Sequence, residues 1–204
     1  MDDLSKALGD ISNIRRQVAS TTEFRGYGPA TLATTGVFAI GAAVAQAVWL
    51  PDPPRHIQSY LLIWIVTAVV SAILIAVQTV TRTHRLHSGM ATEMIHLSVE
   101  QFLPAAGAGV LITLVLVRWV PSILWMLPGL WQLIFGLGVF SSCRFLPRAM
   151  VAVGLWYLAT GLACIALGDN RAFSPWTMGV SYGVGQFLVA VVLYFAAPEG
   201  DHEI

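Results

Sequence analysis

One histidine and two glutamates in the middle of the sequence have the residue types and spacing of a metal site. Glu93, His96 and Glu100 fall within about 60° of one another on a helix. Imidazole and carboxylate ligands suit first-row divalent metals such as zinc. The Glu-x-x-His spacing also occurs in di-metal carboxylate bundles, but those sites need a second such pair, and this chain has none. Two interpretations stay open: a weak divalent-metal site, or a polar rim where a helix leaves the membrane.

Two more histidines, His84 and His87, precede this cluster and would complete a metal site if their segment folded back. They alternate with Arg82 and Arg85, whose positive charge repels a cation. A basic segment beside a membrane span is typical of contact with anionic lipid headgroups. The sequence favours that lipid contact, with metal or proton sensing as the alternative.

Glutamines inside apolar stretches give the second set of candidate residues. An amide in hydrocarbon is costly unless it bonds across a helix contact, so these side chains predict interhelical hydrogen bonds. A solute path through the membrane would use the same groups. The set comprises Gln46, Gln78, Gln132 and Gln186. Pro128-Gly129 precedes Gln132 and predicts a kinked or broken fourth span.

Neither motifs nor charge indicate catalysis or nucleic-acid binding. The sequence has no phosphate-binding loop or zinc-protease motif, so no catalytic residue is predicted and a non-enzyme is favoured. No histidine lies well inside an apolar run, which disfavours haem. Lys plus Arg and Asp plus Glu number 11 each, so no basic surface for phosphates is expected. No cofactor is predicted, apart from the divalent metal left open above.

Composition identifies the elements that must position these residues. With 56% hydrophobic and 11% charged residues, the 204-residue chain has too little polar surface for a water-soluble globule. Six apolar runs have about the length that crosses a bilayer as a helix. The runs are Thr31 to Leu50, Gln58 to Thr79, Leu97 to Val117, Ser122 to Ser141, Ala149 to Leu167 and Pro175 to Ala196. The expected fold is an all-α membrane protein, a bundle of six transmembrane helices with an N-terminal amphipathic cytoplasmic helix.

The third run needs polar residues to reach a spanning length. Its strictly apolar part, Leu103 to Val117, is too short to cross about 30 Å of hydrocarbon. We therefore expect the helix to start near Leu97 and to bury a hydrogen-bonded Glu100 at its inner end. Small residues four apart, such as Gly179 and Gly183, predict close helix packing inside the bundle.

Basic residues predict the orientation, because positively charged loops stay in the cytoplasm. An inward N-terminus places eight of the eleven basic residues inside: Lys6, Arg15, Arg16, Arg25, Arg82, Arg85, Arg144 and Arg148. Tryptophans near the opposite helix ends predict a belt at the outer headgroups: Trp49, Trp64, Trp119, Trp125 and Trp176. Both signals favour cytoplasmic N- and C-termini.

The N-terminal segment has the pattern of an amphipathic helix. Its apolar positions alternate at spacings of three and four: Leu4, Ala7, Ile11, Ile14 and Val18. Such a face packs on the bilayer or the bundle, or pairs with a second copy or another protein. The expected domains are residues 1–28 as the cytoplasmic helix and a glycine hinge, 29–198 as the six-span domain, and 199–204 as a cytoplasmic tail.

The block from Phe24 to Thr31, with sequence Phe-Arg-Gly-Tyr-Gly-Pro-Ala-Thr, precedes the first span. Together with the six-run layout, it resembles uncharacterised bacterial integral membrane proteins of about this length. The resemblance implies a bacterial inner membrane and brings no activity, ligand or site. The favoured function is a non-enzymatic regulatory, sensory or assembly role exercised through the cytoplasmic surface. A small-solute transporter or channel is the alternative, and a metal-binding membrane protein or enzyme the second alternative.

Overall fold

A computed structural model describes residues 28–85, 89–143 and 147–196, without the side chains of 82–85, 89–99 and 196. Each of the six apolar runs forms a helix in it. The helices are α1 (Pro29–Trp49), α2 (Ile57–Arg85), α3 (Gly89–Trp119), α4 (Leu127–Ser142), α5 (Met150–Ala166) and α6 (Pro175–Ala196). Short 3-10 turns precede α2, α4 and α6, at Pro53–His56, Pro121–Met126 and Asn170–Phe173. The predicted N-terminal amphipathic helix and C-terminal tail lie outside the described residues.

Five of the helices are long and apolar enough to cross a membrane: α1, α2, α3, α4 with its preceding turn, and α6. Helix α5 is apolar but has only 17 residues. At a rise of about 1.5 Å per residue it is roughly 26 Å long, slightly less than a typical hydrocarbon core. The chain is all-helical over its described residues, and its helices fit a multi-pass membrane protein.

The second and third helices are longer than their apolar runs. Helix α2 continues past Thr79 to Arg85, and α3 begins at Gly89, eight residues before Leu97. No proline or glycine interrupts residues 80–88, and a helix leaving the hydrocarbon does not need apolar residues to continue. The stretch between the second and third runs, which the orientation rule places in the cytoplasm, is therefore helical over its described residues, with His84 on α2 and His96 on α3.

Two apolar clusters define the ends of the bundle. Leu50, Tyr60, Leu116 and Phe173 pack together at what we call the Trp49 end. Leu32, Val139, Met150 and Leu193 pack together at the opposite, Gly28 end. Helix α1 packs most closely on α6, and α4 on α5. Among the described residues, α2 and α3 touch each other only over a short stretch. Much of the surface of α2 and α3 is apolar and exposed, which suits contact with lipid.

Glycines bring α4 and α5 into backbone contact. A Cβ built on Gly129 would lie 2.7 Å from the Gly161 carbonyl oxygen, and one on Gly136 would lie 3.2 Å from that of Gly154. Gly129 and Gly136 are seven residues apart on α4, as Gly154 and Gly161 are on α5. The two helices therefore touch at two points along one antiparallel seam. Small residues let helices approach closely where the hydrophobic effect between them is weak.

Helices α1 and α6 meet through a second set of small residues. A Cβ on Gly36 would lie 3.1 Å from the Gly183 carbonyl oxygen, and one on Gly179 would collide with Ala43. This confirms that the small residues of the sixth run pack inside the bundle. Gly109 on α3 makes no such close contact, since a Cβ built there would meet nothing within 4 Å.

The predicted break in the fourth span lies earlier than Pro128-Gly129. These residues occupy the first turn of α4, where a missing backbone N–H costs no helical bond. The irregular backbone is in the preceding 3-10 turn, where Ile123 has φ −111° and ψ 17°. Gly129 therefore serves the contact with α5 and does not kink the helix.

Candidate functional site

The connection from α5 to α6 brings backbone that is not α-helical into the apolar interior. Gly168 ends α5 with φ of 72°, a left-handed conformation that glycine adopts at little cost. After the Asn170–Phe173 turn, Ser174 is extended (φ −54°, ψ 138°), as expected for a residue before proline. The carbonyl groups of Ala172 and Phe173 thus lie outside both helices, although the two residues are only 0% and 3% exposed.

Side chains from three helices bond to these two carbonyl groups. Thr177 Oγ1 on α6 donates to the Ala172 oxygen over 2.7 Å, and Cys164 Sγ on α5 approaches it at 3.9 Å. Gln46 Nε2 on α1 donates to the Phe173 oxygen over 2.7 Å. The Tyr60 ring of α2 packs edge-on against the Phe173 ring. We call Ala172, Phe173 and these bonded side chains the carbonyl hub.

Gln46 is the best-satisfied polar side chain of the hub. It is fully buried, and its Oε1 accepts a 2.8 Å hydrogen bond from Trp64 Nε1 on α2. One amide therefore joins α1, α2 and the turn before α6. The prediction that Trp64 belongs to an interfacial belt is wrong, because its indole is 4% exposed and bonded inside the bundle. Trp49, Trp119 and Trp176 are exposed at the Trp49 end, as the belt requires, whereas Trp125 is half-buried.

Gln132 extends the hub from the other side. Its Nε2 donates to the Thr177 carbonyl oxygen over 3.0 Å and lies 3.8 Å from Met178 Sδ. Its Oε1 is buried and has no hydrogen-bond partner in the described part of the chain. The Tyr60 hydroxyl oxygen is likewise buried and unpartnered there. Tyr60 and Met178 belong to the same apolar cluster as Phe173.

Gln186 and Gln78 lie away from the hub. Gln186 Oε1 accepts from Thr35 Oγ1 over 3.3 Å, which joins α6 to α1 near mid-bundle. Gln78 Oε1 accepts from the Gly28 backbone N–H over 3.2 Å, which ties the start of α1 to α2. The nearby Tyr157 hydroxyl faces Gln186 but completes no hydrogen bond of standard geometry within residues 28–85, 89–143 and 147–196.

The glutamines thus make the interhelical bonds that the sequence predicts. No hydrogen bond among the described residues links one of the four to another; each has its partner on a different element. Gln46 and Gln132 both bond to residues of the hub, Gln46 to the Phe173 carbonyl oxygen and Gln132 to that of Thr177. A solute path through all four stays a prediction.

Sequence reasoning missed the hub itself, including Cys164 and Thr177, and the Tyr60 ring that packs against it. The available signal was Ser174-Pro175 at the start of the sixth apolar run, since a residue before proline is extended and frees the preceding carbonyl groups. A second missed signal was the seven-residue glycine spacing shared by the fourth and fifth runs.

The candidate metal ligands stand on one continuous helix. Helix α3 runs without interruption through positions 93, 96 and 100, so these positions share a face as predicted. The side chains of Glu93 and His96 lie outside the described set, as do those of His84 and His87. The described residues contain no group of three or more metal-capable side chains.

Glu100 differs from its prediction. The helix starts well before it, as the span length requires, but the side chain is exposed, so the prediction of burial is wrong. Glu100 lies about 160° around α3 from Phe102, and Phe102 faces α4 through the Phe135 ring. Its face of α3 points away from the α4 contact.

Apart from Glu100 on α3, the charged side chains of the described residues lie at helix ends and turns. Arg55 pairs with Asp52 at 3.0 Å, and Arg171 with Asp169 at 2.9 Å. Hydrogen bonds from Arg171 hold the pKa of the exposed Asp169 carboxyl below its ordinary value. In the described interior, the buried polar side chains are uncharged: Thr35, Gln46, Thr79, Gln132 and Ser181.

Comparison of the chain with protein-family models, with curated proteins and with solved structures gave no match in any of the three.

Proposed function

We propose that this protein is a six-span membrane protein of the bacterial inner membrane with both termini in the cytoplasm. In this topology α5 crosses with the others, and the Trp49 end faces outward. The 17 residues of α5 lie at the lower end of the spanning range. The contacts of α5 with the antiparallel α4 and α6 support a crossing. Eight of eleven basic residues then lie on the cytoplasmic side.

The function we propose is non-enzymatic: a regulatory, sensory or assembly role exercised through the cytoplasmic Gly28 end. The observation that supports this role is that buried polar side chains hold the helices together. Gln46, Gln78 and Gln186 bond between elements of the bundle, and the buried polar side chains described are uncharged. Such an interior stabilises one arrangement of helices and supplies no described acid, base or nucleophile at a cleft.

Photocrosslinking tests this role. A benzophenone amino acid would replace Arg148, an exposed residue at the Gly28 end, and in a matched control Arg55, exposed at the Trp49 end. The proposal predicts a discrete protein adduct from position 148 in living cells and none from position 55. Adducts with lipid alone at both positions, from a correctly inserted protein, would contradict it.

Transport of a small solute is the second candidate, and the unpartnered buried atoms favour it. Gln132 Oε1, Tyr60 Oη and Tyr157 Oη are available to bond a passing solute. Flux of water, glycerol and urea into proteoliposomes tests this function. A rate above that of empty liposomes, reduced in Gln132→Leu and unchanged in the surface variant Arg55→Lys, would support transport. Equal rates in protein-containing and empty liposomes would reject it for these solutes.

A further inference from the structure

Helix α2 is held unequally along its length. Near the Trp49 end, the side chains of Tyr60 and Trp64 are 0% and 4% exposed. Among residues 65–81, all of which the structure describes and which we call the inner half of α2, Thr79 is the one buried residue. Large apolar side chains of the inner half are exposed, such as Val77 at 56%. One part of the helix is therefore anchored in the bundle, while the inner half lies against it with little burial.

A hydrogen bond fastens the inner half to α1. Gln78 Oε1 accepts a 3.2 Å bond from the backbone N–H of Gly28, the residue that caps α1. A Cβ built on Gly28 would collide with the Gln78 amide, so the side chain fills the space beside the glycine. Gly28 is extended (φ −81°, ψ 128°), as expected before proline, and is therefore needed for space and not for its backbone angles.

The helix between the anchor and this bond is one continuous element. Residues 57–85 contain no glycine or proline, the residues at which helices usually kink. Gln78 lies 14 residues from Trp64, and α2 continues for seven residues beyond Gln78. At the usual rise per residue, Gln78 is about 21 Å from Trp64, so a tilt of about 15° would move it by roughly 5 Å.

We propose that α2 is a lever that pivots about Tyr60 and Trp64, and that the bond between Gln78 and Gly28 latches its closed position. Its lipid-facing side chains are apolar and form no directional bonds that would resist the movement. The lever deepens the proposed regulatory role, and it rests on that role in taking the Gly28 end as the surface that partners contact. A partner at this end acts on the free end of α2, and it favours the open position if it binds that position more tightly.

Distances between spin labels on α2 and α5 test the lever in the full chain, reconstituted in phospholipid nanodiscs. Val77→Cys with Val151→Cys measures the Gly28 end. Leu62→Cys with Leu162→Cys is the matched pair at the Trp49 end. All four side chains are exposed, so the labels replace no packed residue. Each pair is made in a protein without its native cysteines, through Cys143→Ser and Cys164→Ala.

Two substitutions open the latch from opposite sides. Gln78→Leu removes the acceptor, and we expect a second population at the Gly28 end, shifted by about 5 Å, with the distance at the Trp49 end unchanged. Gly28→Ala crowds the Gln78 amide from α1 and should give the same result, which keeps the test informative if Gln78→Leu does not fold. Thr67→Val is the matched control on α2, because Thr67 Oγ1 donates to the Ile63 carbonyl oxygen of its own helix. It should leave both distances unchanged.

Distances at the Gly28 end that stay unchanged in both latch variants would overturn the proposal. Equal changes at the two ends, or the same change in Thr67→Val, would indicate a loosened bundle and overturn it too. The measurement involves no partner, so the lever can fail while the proposed role of the Gly28 end stands. A failed crosslink at position 148 would remove that role and leave the label distances as they are.

Discussion

At the scale of single residues, the sequence indicated what the glutamines do but not which partners they have. A glutamine in an apolar run must find a hydrogen bond, and that requirement is visible in the sequence alone. The Trp64 indole was misplaced because tryptophan suits a headgroup interface as well as a buried donor site. Its position relative to Gln46, in the preceding span, depends on how the two helices pack.

The Gln46–Trp64 pair should contribute measurably to stability. Gln46→Leu leaves the Trp64 N–H and the Phe173 oxygen without their partner, and we expect a loss of about 2 kcal/mol in the free energy of unfolding. Trp64→Phe removes the donor but keeps an aromatic ring. Unfolding titrations in mixed micelles should show that the double variant loses less than the sum of the single losses. Strict additivity would show that the two side chains do not interact.

The metal prediction also belongs to this scale. Two carboxylates and one imidazole on one helix leave the remaining coordination positions to another segment, another subunit or water. We expect the purified protein to carry no stoichiometric metal by elemental analysis, and His96→Ala to leave the metal content unchanged. Stoichiometric zinc that His96→Ala removes, with the fold intact, would instead establish the metal site.

At the scale of helices, the run boundaries were predictable because apolar length has to match the bilayer. The polar extensions of α2 and α3 were not, since residues beyond the hydrocarbon carry no such constraint. The exposure of Glu100 was missed for a related reason: span length sets how far a helix extends, but not which face meets its neighbour. That face depends on contacts such as Phe102 with Phe135.

The glycine seam between α4 and α5 should tolerate no added methyl group. Gly129→Ala places a Cβ 2.7 Å from the Gly161 carbonyl oxygen, a backbone atom that cannot move aside alone. We expect a loss of about 1 to 3 kcal/mol in the free energy of unfolding.

Gly107→Ala is the matched control, because a Cβ there meets nothing within 4 Å. It should leave stability unchanged or raise it by about 0.5 to 1 kcal/mol, since alanine loses less backbone entropy in a helix. Unfolding of both variants under the same conditions gives the comparison. Equal effects of the two substitutions would show that α4 and α5 are not in backbone contact.

At the scale of the whole molecule, the fold class followed from composition, whereas the order of helices in the bundle did not. The pairing of α1 with α6 arises from glycines more than a hundred residues apart in the chain, Gly36 and Gly183. A spacing pattern within one run shows that a helix can pack closely but does not identify its partner. The carbonyl hub is hidden for the same reason, because its donors come from three separate helices.

The central claim is that six helices cross the membrane with the Gly28 end in the cytoplasm. The claim depends most on whether the short helix α5 crosses. Arg148 and Asn170 are exposed residues on either side of α5. Arg148→Cys and Asn170→Cys, each made in a protein that carries Cys143→Ser and Cys164→Ala, report on which side of the membrane each end of α5 lies. The measurement is labelling of right-side-out vesicles with a membrane-impermeant maleimide. The account predicts labelling at position 170 and none at position 148 until the vesicles are opened. Labelling of both positions, or of position 148 alone, would contradict it.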